Sequence, residues 1–82
     1  MVQLIVKDGR LCYPGDARRD EWAVHPGDPV PVLCRYPEGD YDQIAWPKPN
    51  RKNLHRALYD DRESGLISDE EVLLPDGTSA WK

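Results

Sequence analysis

Residues 7–28 read Lys7-Asp8-Gly9-Arg10-Leu11-Cys12-Tyr13-Pro14-Gly15-Asp16-Ala17-Arg18-Arg19-Asp20-Glu21-Trp22-Ala23-Val24-His25-Pro26-Gly27-Asp28, and the rest of the chain is placed from them. Asp8-Gly9 is a dipeptide favoured by two-residue hairpins, because both central positions of a type I′ turn need positive φ. Ahead of it Val2, Leu4 and Val6 alternate with Gln3, Ile5 and Lys7, the period of a half-buried strand. Arg10 to Tyr13 returns as a second strand that Pro14 stops. Tyr13-Pro14-Gly15-Asp16 reads as a turn in which Pro sets one φ and Gly supplies a positive one. Asp16 then stands where it would cap a helical turn over Ala17 to Trp22.

His25-Pro26-Gly27-Asp28 repeats that turn chemistry and launches a strand with Val30, Val32, Cys34 and Tyr36 on one face. Pro29 and Pro31 lie on its other face and cannot donate to a ladder, so the strand is expected to keep an unpaired edge near its start. Pro37 to Asp40 turns the chain, and Gln43 to Trp46 closes the first half. Pro47-Lys48-Pro49 is a stiff linker. Asn50 caps a helix from about Arg51 to Ser64, with a narrow stripe of Leu54, Ala57 and Leu58, and Gly65 as its C-terminal stop. Arg51, Lys52 and Arg56 sit at the helix's positive end and Asp60, Asp61 and Glu63 at its negative end, which opposes the dipole. Beyond it two readings stand: a second helix from the capping box Ser68-Asp69-Glu70-Glu71, or a strand at Val72 to Leu74 pairing with Ser79 to Trp81 across Pro75-Asp76-Gly77.

The expected fold class is α+β, mainly β: a small barrel of short strands over residues 1–48, then a helix and acidic segment over 49–82. At 82 residues such a domain has a marginal core, so a partner subunit is expected. The formal net charge of −4 weakens any general grip on nucleic acid, though it is unevenly spread. Residues 60–76 carry Asp60, Asp61, Glu63, Asp69, Glu70, Glu71 and Asp76 against Arg62 alone, while the front is mildly basic. There is no long apolar run or leader-like segment, and Cys12 and Cys34 lack ligand spacing. A soluble, intracellular, cytoplasmic protein with reduced thiols is expected.

The Asp8 to Asp28 stretch resembles the AbrB/MazE family of swapped-hairpin DNA-binding proteins. Gly9-Arg10, Leu11 and Tyr13, Pro14 and Arg18 fall in register with that family's pattern, and Gly27-Asp28 with Val30 and Val32 closes it. Ile44-Ala45-Trp46-Pro47 looks like its last strand and proline. One residue is inserted between Arg18 and Trp22, Trp22-Ala23 replaces the usual Leu-Gly, and Pro29 and Pro31 depart from the valine-rich strand. The resemblance implies a homodimer of interleaved hairpins that binds DNA with modest affinity through Lys7, Arg10, Arg18 and Arg19. Arg10 and Arg19 would then outrank Lys48, Arg51 and Lys52. The alternative for Arg18 is a structural ion pair with Asp28.

In the antitoxin branch of the family an acidic segment wraps a basic toxin, and here Leu54, Leu58, Tyr59, Leu66, Ile67, Leu73, Leu74 and Trp81 would be its anchors. The bland alternative is a helix packed on its own barrel. Asp60 to Glu71 matches a calcium loop at several positions, but Arg62 stands where a carboxylate belongs. Cys12, Cys34, His25 and His55 show neither zinc spacing nor a nucleophile signature. No catalysis, cofactor, metal or membrane contact is expected. Two functions follow: a dimeric DNA-binding regulator of antitoxin type, or a small β-barrel that binds and blocks a target protein, as short phage-encoded inhibitors do.

Overall fold

The computed structural model describes residues 1–18, 27–32, 44–67 and 71–81. Its N-terminal run follows the alternation through Ile5, with Val2 and Leu4 buried and Gln3 and Ile5 exposed, but Val6, expected on the buried face, is 43% exposed. Strands β1 (Val2–Gln3) and β2 (Ile5–Lys7) are successive parts of this run. Asp8 (φ 53°) and Gly9 (φ 74°) turn it into β3 (Arg10–Tyr13), with Lys7 opposite Arg10 and Ile5 opposite Cys12. On its other side β3 pairs antiparallel with β4 (Val30–Pro31), Tyr13 facing Val30. Leu11 turns both backbone groups to that side, donating to Ile44 O at 2.8 Å and accepting from Val32 N at 3.2 Å.

The helical turn expected over Ala17 to Trp22 forms earlier, as a 3₁₀ turn at Gly15–Ala17, and extended backbone at Arg18 ends it. Pro14 rather than Asp16 holds the N-cap position. Gly15 is not among the positive-φ glycines, contrary to the turn expected there. What demands glycine is proximity: a Cβ at position 15 would collide with the Gly27 backbone. The backbones at Gly15 and Gly27 therefore pack on each other. Residues 19–26 and 33–43 lie outside the described residues, with most of the expected helical turn and of the strand through Tyr36.

Helix α1 (Arg51–Glu63) starts as expected, with Asn50 Oδ1 accepting from Asn53 N at 3.2 Å. It stops at Gly65 (φ 82°), after Ser64 donates its N–H to Asp60 O at 3.0 Å. Of the two readings for the following segment, the strand is realised. Val72–Leu73 is β5, and Leu73 bridges to Ser79 across the turn at Pro75 to Thr78. β5 also pairs parallel with β1, Val2 opposite Val72 and Gln3 opposite Leu73. Val2 donates to Glu71 O at 2.9 Å and Leu4 to Leu73 O at 2.7 Å. The next rung would need an N–H from Pro75, which has none, so the ladder ends there.

The result is a small α+β fold of five short strands and one helix among the described residues. The expected barrel is corrected: the sheets β1-β5 and β2-β3-β4 are open. Among the described residues β5 and β4 are outer strands, and neither sheet closes on itself. One core takes Val2, Leu4, Leu11, Tyr13, Val32 and Ile44 from before Lys48, and Leu54, Leu58, Leu66, Val72, Leu74 and Ala80 from after it. The radius of gyration is 11.3 Å, against about 12 Å for a compact chain of this length. The accessible surface is 5216 Å², close to the roughly 5000 Å² of a monomer of this mass. The helix and C-terminal strand thus supply within one chain the apolar cover that the sequence reading assigned to a second subunit.

Candidate functional site

Two hydrogen bonds tie the β2–β3 hairpin to the later chain, one to the segment before α1 and one to the last turns of α1. At the hairpin tip Trp46 N donates to Gly9 O at 2.9 Å, and Arg10 bridges to Ala45. Near the other end of α1, Tyr13 Oη donates to Asp61 Oδ2 at 2.8 Å. The last turns of α1 are thus tied to the end of β3. Tyr13 and Asp61 are both fully buried, and the Asp61 main-chain O also accepts from Ser64 Oγ and Leu66 N. A carboxylate this deep needs donors to offset its lost hydration, and the Tyr13 hydroxyl is one of them.

The outer side of α1 carries the feature most suited to a partner. His55, Tyr59 and Arg62 are spaced four and three residues apart, which sets them on one helix face. Trp81, packed partly on the core, lies across that face. Its ring stacks on His55 at 6.3 Å between centroids, 27° from parallel. The Arg62 guanidinium sits 5.0 Å from the Trp81 centroid and 5.9 Å from that of Tyr59. Guanidinium held over two rings is favourable without burial of the charge. Tyr59 remains 52% exposed, while His55 Nε2 is buried with no hydrogen-bond partner.

No family model, curated protein or solved structure matches this chain. The resemblance noted over residues 1–48 thus rests on those residues alone, and the surface has to be read from its own chemistry.

Of the cations expected to face DNA, Lys7 and Arg10 are exposed and paired across the hairpin. Arg18 is not available: it is 8% exposed and its Nη2 donates to the Asp28 main-chain O, a structural role through the carbonyl rather than the carboxylate. Arg19 lies outside the described residues. Of the expected partner anchors, Leu54, Leu58, Leu66, Ile67 and Leu74 are buried in the core, Leu54 and Leu58 on the inner side of α1 and the other three in the segments after α1 and β5. Leu73 and Trp81 are half-buried, and Tyr59 alone is largely exposed.

His55 and Arg62 are members of the cluster that the sequence reading passed over. Their spacing with Tyr59 was the available signal, but the position of Trp81 above them was not. Burial pushes the Cys12 thiol up, away from reactivity. Hydrogen bonds from the side chain and backbone of Thr78 hold Asp76 down, within its turn. Among the described residues no three His, Cys, Asp or Glu side chains come together as metal ligands, and no helix is long and apolar enough to cross a membrane.

Proposed function

We propose that this chain is a small, non-catalytic, monomeric binding module that engages another protein through the outer face of α1 and Trp81. One observation carries the reading: Tyr59, Arg62 and Trp81 are stacked together at the surface with Tyr59 52% exposed. Tyr, Trp and Arg are the residue types that dominate binding hot spots, and stacking them in advance reduces the ordering cost of docking. The self-contained core supports action as a single copy that binds and blocks a target. The antitoxin-type DNA-binding dimer keeps only Lys7 and Arg10 of its described cations at the surface, and it needs interleaving that this core does not call for.

The test replaces Tyr59 by a photo-crosslinking phenylalanine in cells of the source, with Lys52 substituted in the same way as control. One discrete protein adduct from position 59, lost when Arg62→Ala is added, is the expected result. Equal labelling from both positions, or none from 59, overturns the reading. Sedimentation at micromolar concentration separately distinguishes the monomer from the interleaved dimer.

A further inference from the structure

The surface neighbours of Tyr59 on α1, three and four residues to either side, are His55, Arg56, Arg62 and Glu63. Arg56 and Glu63 are exposed, His55 and Arg62 half-buried. Two arginines thus stand against one carboxylate around the exposed ring, in a chain whose net charge is −4. The other acids of α1 lie off this face. Asp61 is buried beneath the helix, and Asp60 stands about 100° round it from Tyr59. Lys52 lies two turns from Tyr59, about 10 Å along the axis, and adds to the local field from outside contact range.

Both arginines already make interactions within the chain, Arg62 over the rings of Tyr59 and Trp81. A guanidinium carries five N–H donors in a fixed fork, so a contact to a ring does not exhaust what it can offer a carboxylate. Contact with two rings also restrains Arg62 beforehand, which lowers the ordering cost of such a grip.

We infer that this face takes an acidic segment of a partner protein, with an apolar side chain seated on Tyr59 and Trp81 and carboxylates on Arg62 and Arg56. The inference rests on the protein-binding reading of the face and supplies the partner's chemistry, opposite in sign to the basic toxin that the resemblance implies. Six residues separate Arg56 from Arg62, about 9 Å of helix. Acids two or three residues apart in an extended segment span about 7–10 Å, so one segment reaches both. A nucleic acid fits less well, because its unbroken row of phosphates would meet Glu63 and the negative field of the whole chain.

The experiment measures anisotropy of a short labelled peptide, one leucine between two pairs of glutamates, titrated with the full chain. A second peptide has glutamines in place of the glutamates. Binding of the glutamate peptide alone, weakened by salt, is expected. Glu63→Gln should tighten it roughly 2- to 5-fold by removing the acid from the face, a gain that misfolding does not produce. Glu71→Gln makes the same change in net charge away from α1 and should leave affinity unchanged. Arg62→Ala should weaken binding roughly 5- to 30-fold. Equal binding of the two peptides, binding of neither, or an effect of Glu63→Gln no larger than that of Glu71→Gln would each overturn the proposal. Displacement of the peptide by a single-stranded oligonucleotide would overturn it in favour of a nucleic acid. Crosslinking from position 59 to a neutral or basic protein segment would overturn the acidic assignment alone and leave the protein-binding reading standing.

Discussion

The two ends of α1 treat charge in opposite ways. At its N-terminal end Lys48, Arg51 and Lys52 stand exposed to solvent, where a single charge adds little to folding. At the other end Asp61 is sealed under the core and held by Tyr13, where its removal from water is costly. The difference separates surface that is free to serve binding from structure that is not. A helix whose charges oppose its dipole at both ends is stable here because Leu54, Ala57 and Leu58 are fully buried beneath it.

The contrast is broken most severely from the buried side. Leu58→Ala should cost about 2–5 kcal/mol, as deletions of fully buried leucines do, enough to unfold much of a small domain. Urea denaturation checks it; a loss near zero would mean that α1 is detachable and Leu58 is after all available to a partner. Tyr13→Phe removes a donor from buried Asp61 and should cost about 1–3 kcal/mol in the same denaturation experiment. Failure to destabilise would show that the carboxylate is satisfied without Tyr13.

The N-terminal end sharpens the comparison through sign. Arg51→Glu with Lys52→Glu should raise the urea midpoint by the equivalent of a few tenths of a kcal/mol, because acids suit a helix N-terminus. A less stable variant would mean that these cations are structural. The smallest effect is read from pH. Burial raises the Cys12 pKa, so the unfolded chain releases the thiol proton first and stability should fall as pH rises through the ordinary thiol range. Denaturation midpoints of wild type and Cys12→Ser on the alkaline side check it, with the serine variant lacking that decline.

Features written in neighbouring residues were legible from sequence: the Asp8-Gly9 hairpin, the Asn50 cap and the Gly65 stop each need only a few adjacent side chains. The Val72 strand was visible as one of two options, since Pro75-Asp76-Gly77 makes a turn under either. Its parallel pairing with Val2 was not, because partners 70 residues apart leave no local signal. Asp61 gave no sign of burial, standing among Asp60, Arg62 and Glu63 as if on a wet face. Gly15 was misread for a related reason: proximity to another turn, not its own φ, requires glycine there. On the candidate site, Tyr59 and Trp81 were visible by type, whereas Leu54, Leu58, Leu66, Ile67 and Leu74 lie in the protein's own interior.

The outer edge of β2 also bears on behaviour in concentrated solution. Opposite Leu11, Val6 turns its N–H and C=O away from β3 toward an edge that is bare among the described residues, and the Val6 and Ile5 side chains are exposed. An uncovered apolar edge is a template for adding a strand from another molecule, and a lysine is one of the few devices that discourage this. Lys7 is the only charge in β2. It therefore doubles as a guard against edge-to-edge aggregation, and neutralising it would shorten the shelf life of a purified sample well before it altered the melting curve.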